Sequence, residues 1–211
     1  MDDGALGFNL KLKGFEGKQK LSMNTSAFQA KLTAFKIINQ ISENLEKSFA
    51  PYCEAVLPIM LENFAFKFSE ALRKQALKTC VNILHAVSEP INVNVFQVAL
   101  YPALITQIQK SFETKDLKAL KTLIKHFWLM IKTLNEDNKT HKNYLSEAQF
   151  QQIGPLFGNI LSLVQKTKTE SAKILNGGKK NFVLDEEDME KIKEELGKIT
   201  RSSTYIMEVS G

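Results

Sequence analysis

From Thr25 onward, apolar residues recur every three or four positions, the period of an amphipathic helix. The stretch before it reads differently. Phe8, Leu10 and Leu12 alternate with polar neighbours, Gly14-Phe15-Glu16-Gly17 gives a turn signal, and Leu21 and Met23 alternate again. Residues 1–24 therefore predict a short extended or hairpin-like arm. An isolated hairpin is marginal in water, so the arm is expected to dock on the rest or to move.

The remainder, 25–211, predicts helices throughout. Ser26 with Gln29 makes a capping box, opening a helix that runs to about residue 49. Further helices are expected over about 51–68, 70–87, 92–112 and 115–134, and from a Ser146/Gln149 box to about 176. Glu89-Pro90 should close the third, because the residue before a proline avoids the helical region. Gly177-Gly178 reads as a stop, and a charged helix is expected from about Asp185. At 100° per residue, Leu72, Ala76, Cys80, Ile83, Leu84 and Val87 share one face, and Arg73 lies on it. The expected reading of Arg73 is a packed stem whose head pairs with a carbonyl or acid of a neighbouring repeat. Contact with a partner is the other reading.

Prolines carry an internal repeat. Leu57-Pro58-Ile59, Tyr101-Pro102-Ala103 and Gly154-Pro155-Leu156 each place a proline midway along a predicted helix, at spacings of 44 and 53 residues. A helix-interior proline costs about 3 kcal/mol against alanine, so three such placements are a pattern. Each should bend a first helix that is followed by a straighter second one. Helix pairs recurring at roughly 40–47 residues belong to HEAT and armadillo arrays. The predicted class is all-α, an α-α superhelix with pairs over about 51–88 and 92–134 and partial pairs at both ends.

The segment Phe49-Ala50-Pro51-Tyr52-Cys53-Glu54-Ala55-Val56-Leu57-Pro58, with Glu70-Ala71-Leu72-Arg73-Lys74-Gln75-Ala76, resembles one HEAT repeat. The repeat's proline, turn acid and arginine fall on Pro58, Glu70 and Arg73, with Glu70 in place of the more usual aspartate. Thr25-Ser26-Ala27-Phe28-Gln29-Ala30-Lys31-Leu32-Thr33-Ala34 resembles a helix opening of the karyopherin-β (importin-β) family, importin-beta-3 type. Tyr205-Ile206-Met207 after an acidic stretch also resembles that type. The resemblance is specific over about 25–88 and loose over 92–150, where Asp116-Leu117-Lys118 lacks the repeat arginine. It implies an internal fragment of a nuclear transport receptor found in cytoplasm and nucleus and at the pore. Such a receptor carries protein cargo with basic targeting signals and releases it when Ran binds in its GTP form. Contacts with Ran and nucleoporins would belong to the full-length parent. The alternatives are a HEAT scaffold subunit of another complex and a basic helical nucleic-acid-binding domain.

Composition agrees with long helices. Ten glycines and five prolines in 211 residues fall well below the roughly 12% of average usage. Two cysteines suit a reducing compartment rather than a disulfide scaffold. No apolar run of about 18 residues occurs, so no membrane helix is expected. The net charge of +5 raises the question of acidic partners. Lys74, Lys78, Asn82 and His85 lie opposite the apolar face of the third helix. Lys118, Lys121, Lys125 and Lys132 cluster on the fifth. Both rows read either as solvated helix faces or as a concave stripe for acidic partners. Asp185 to Glu195 holds seven acids, among them Glu186, Glu187, Glu194 and Glu195, and is a candidate surface for lysine-rich signals. Neither a zinc-ligand spacing nor a P-loop nor a nucleophile elbow occurs in the sequence, and it is the family resemblance that implies a binding protein without cofactor or metal rather than an enzyme. Without aromatics beside the lysines, nucleic acid is not expected.

Overall fold

The computed structural model describes residues 25–66, 69–137 and 144–175, together with Glu194 and Arg201. The 1–24 arm and most of the acidic segment lie outside the described residues. Among those described, the fold is all-α, with no strand. In chain order it runs α1 (Thr25–Leu45), a 3-10 segment (Glu46–Tyr52), α2 (Cys53–Glu62), α3 (Glu70–Ala86) and α4 (Ile91–Val95). A π turn (Phe96–Leu100) then leads into α5 (Tyr101–Glu113), followed by α6 (Leu117–Asp137) and α7 (Glu147–Leu175).

Helix α3 lies between α1 and α6. Two sets of contacts show that the three run in the same direction. On one side Phe28 stacks on Phe66, and Asn82 reaches Asn39 and Ser42 farther along. On the other, Glu70 accepts from Thr122, and Lys74 and Lys78 stand near His126. Behind this row, α2 and its 3-10 lead pack on α3, α5 packs on α6, and α7 meets α5.

The apolar period expected from the sequence becomes the core. Leu72, Ala76, Leu77, Cys80 and Leu84 of α3 join Leu104 and Ile108 of α5 and Leu120, Ile124, Phe127 and Ile131 of α6, all essentially without solvent contact. Phe127 touches three rings, those of Phe96, Tyr101 and Phe157, with centroids 5.9 to 6.2 Å away.

Several element ends follow their sequence signals. Ser69 sits in extended backbone and its Oγ accepts from the Leu72 N–H at 3.1 Å. Ser146 and Gln149 form both halves of a capping box, at 2.9 and 3.3 Å. Others depart from expectation. The described part of α1 opens at Thr25 and Ser26 is itself helical, so it does not stand ahead of the helix. Helix α1 stops at Leu45, where Glu46 takes a left-handed φ of 46° and the 3-10 segment bearing Pro51 begins. Helix α2 ends at Glu62, well short of 68. Lys115 fills the left-handed position of a Schellman turn, with Asp116 N–H to Ser111 O at 2.8 Å and Lys115 N–H to Phe112 O at 3.0 Å.

Of the three expected bends, the backbone leaves α geometry at one. Helices α2 and α7 continue through Pro58 and Pro155. Both prolines are exposed, so water can reach the carbonyl that each leaves unpaired. At Pro102 the π turn intervenes, with the Tyr101 N–H bonded back to Phe96 O. The wider turn makes room where the proline ring would meet the preceding carbonyl. The stretch Ile91–Glu113 is nonetheless long and apolar enough to cross a membrane, which corrects the expectation drawn from unbroken apolar runs. Phe96, Leu100, Leu104 and Ile108 of that stretch are buried in the core.

Candidate functional site

The lysines expected to line a partner surface come from two neighbouring helices. Lys74 and Lys78 stand one turn apart on α3, and Lys118 and Lys125 stand two turns apart on α6, all four exposed. Lys121, on the same side of α6, is half-buried. The register between the helices is set at one end by the Thr122 hydroxyl, which donates to Glu70 Oε1 at 3.1 Å. Glu70 thus does more than mark a turn; it ties α3 to α6.

His126 sits under this face, 2% exposed, with its Nδ1 at 2.6 Å from Thr122 O. A carbonyl only accepts, so Nδ1 carries the proton and the neutral ring has this tautomer. Burial lowers the pKa of His126 to about 4, against the pull of the Thr122 hydrogen bond. The positive charges of Lys125, Lys74 and Lys78 contribute to that lowering, after burial. One buried group thereby registers three lysines from two helices. In the sequence His126 stands at no metal-ligand spacing and carries no other signal of this role.

The remaining candidates separate from this cluster. Lys132 is engaged on its own helix, 3.5 Å from Glu136 and 5.8 Å from the centre of the Trp128 ring. Asn82 was expected to face a partner, but its amide nitrogen donates to Ser42 Oγ at 2.9 Å and Asn39 O at 3.3 Å. It belongs to the α1–α3 junction. His85 is exposed in the last turn of α3. Glu186, Glu187 and Glu195 lie outside the described residues, and Glu194 is helical and exposed.

Arg73 is 6% exposed, and its guanidinium donates from Nε to Phe64 O at 3.2 Å and from Nη2 to Phe66 O at 3.0 Å. The carbonyl pairing is as expected, but the partners sit in the α2–α3 turn of its own helix pair rather than in a neighbouring one. A hollow of about 500 Å³ opens beside it, bordered by Lys110, Glu113 and Asp116. Its mixed charges give it no preference for either sign of ligand. Asp116 is already used, accepting from the Ala119 N–H at 3.0 Å to cap α6. Cys53 and Cys80 are buried free thiols, and desolvation raises both pKa values. Among the described residues, no three His, Cys, Asp or Glu side chains stand close enough to hold a metal ion.

Compared with known proteins, the sequence matches no family model and no curated protein.

Proposed function

We propose that this chain is a segment of a HEAT-type helical-repeat scaffold that works by binding protein partners, and that its parent is a nuclear transport receptor. The observation that carries the scaffold reading is the side-by-side row of α1, α3 and α6, with α2 and α5 stacked behind α3 and α6. That is how a solenoid repeats a helix pair, each pair burying its apolar side on its neighbours. The Arg73 tie to its own α2–α3 turn supports it, since it locks the corner of one such pair. The transport reading comes from the resemblance around Thr25–Ala34 and Phe49–Ala76. In that reading, many weak contacts along a curved surface hold a cargo, and a change of curvature releases it.

The test is titration of the protein with a fluorescent reporter bearing a lysine-rich targeting signal, beside one with the lysines replaced by serine. Binding of the first alone is expected, weakened when Glu186, Glu187, Glu194 and Glu195 become glutamine. Exposed charge pairs give about 0–1 kcal/mol each and are screened by salt, so the affinity should be modest. Equal binding of both reporters, or none, would remove the transport reading.

A further inference from the structure

The geometry points to the face shared by α3 and α6, carrying Lys74, Lys78, Lys118 and Lys125, as a docking surface for an acidic segment of a partner protein. It would serve an import receptor or any other helical scaffold alike, and it differs from the acidic stretch offered above to basic cargo.

Charge is what selects the occupant. Among the described residues, none of these four lysines has a carboxylate partner, whereas Lys132 has Glu136. Like charges one turn apart on a helix repel each other, so Lys74 and Lys78 strain α3 slightly in the free protein. The parallel register adds the α6 lysines to the same patch, with Lys125 and the two α3 lysines grouped around His126. Helices pack roughly 8–10 Å apart and rise about 5.4 Å per turn, so the four ammonium groups are spread over one compact patch. Acidic side chains one turn apart on a partner helix, or every second residue of a strand at about 6.8 Å, match those intervals. The acids would remove the repulsion among the lysines as they bind.

A phosphate backbone fits less well. The patch is built of lysine alone: Arg73 and Arg201 are the only arginines, and Arg73 is buried on carbonyls. Glu70 and Asp116 flank the amino-terminal ends of the two rows, where a continuing chain of phosphates would meet them. A short acidic peptide segment avoids both.

Fluorescence anisotropy with a labelled glutamate-rich peptide tests the surface. Lys74→Glu, Lys78→Glu and Lys125→Glu together should weaken binding by about tenfold or more, and raising salt from about 50 to 200 mM should weaken the native protein's binding too. Lys110→Glu changes the net charge per residue equally but lies on α5, behind the row that carries the patch, and should alter affinity by less than about twofold. Circular dichroism confirms the fold; should the triple reversal fail it, Lys→Gln at the same three positions should still weaken binding about threefold. Unchanged affinity in the folded triple variant overturns the proposal. So does a loss with Lys110→Glu as large as the triple's, or a DNA duplex that binds more tightly than the peptide in the same buffer.

Discussion

The α3–α6 pair and the outer side of α1 are built from similar sequences and end in opposite circumstances. Around Phe127 every direction is filled, by Phe96, Tyr101 and Phe157 and by the aliphatic side chains of α3 and α5. Among the described residues, an apolar groove of about 350 Å³ stays open along α1, formed by Ile38, Ile41, Leu45, Phe49, Tyr52 and Val56. Ile41 is 44% exposed and Tyr52 57%. Both regions satisfy the apolar period that predicts a helix. What differs, among the described residues, is whether a neighbour packs on the second side, and in a stacked array that neighbour supplies much of the stability.

The largest expected effect breaks the comparison at its strong end. Phe127→Ala should cost about 3–5 kcal/mol, because a void among three rings cannot collapse fully. Ile41→Ala should cost less than about 1 kcal/mol, since much of its surface already meets water. Urea unfolding of both variants measures the contrast. Similar losses would mean that the groove is closed in solution and that the two regions are alike.

Next comes pH, which acts through His126 on the α3–α6 side. In the folded protein His126 has a pKa of about 4, against 6.5 for an ordinary histidine. Between those values the unfolded chain binds a proton that the folded one refuses. Stability is therefore full above about pH 6.5 and falls as the pH is lowered toward 4, by about 2–3 kcal/mol. His126→Gln should flatten the histidine part of that slope. Denaturant midpoints at pH 7 and pH 5 read it directly, and an unchanged slope would mean that His126 is open to water.

Why the sequence foretold some of this and not the rest is visible at single residues. The bounds of α3 and the start of α7 were legible because period and caps agree there, as at Ser69 and the Ser146/Gln149 box, whereas α6 lies two to three residues beyond its expected bounds. Arg73 was legible as a charge on an apolar face, which has to find acceptors. The role of His126 was not, because burial beside lysines of another helix depends on the α3–α6 register, and Glu70 with Thr122 fixes that across 52 residues of chain. The π turn before Pro102 leaves no local signal beyond the proline itself. Lys115 shows the limit of turn rules, for a lysine stands where a left-handed φ of 53° favours glycine.

The smallest effect sharpens the comparison by cutting the polar tie between the two regions. Asn82 donates to Ser42 Oγ and Asn39 O, and the Ser42 hydroxyl itself donates to Asn39 O at 2.8 Å. This places a small hydrogen-bonded knot inside the α1–α3 contact. Asn82→Ala leaves Ser42 Oγ, 1% exposed as a residue, without its donor and should cost about 1 kcal/mol. Because α1 leans on α3 and, among the described residues, has its other side open, the loss should appear first as local opening of α1 rather than global unfolding. Amide hydrogen exchange distinguishes the two. Exchange in α1 should rise about fivefold for a loss of that size, while α6 amides, held around Phe127, keep their native rates. If α6 amides speed up as much as those of α1, the row of helices opens as one unit and the exposed edge of α1 is no weaker than the centre.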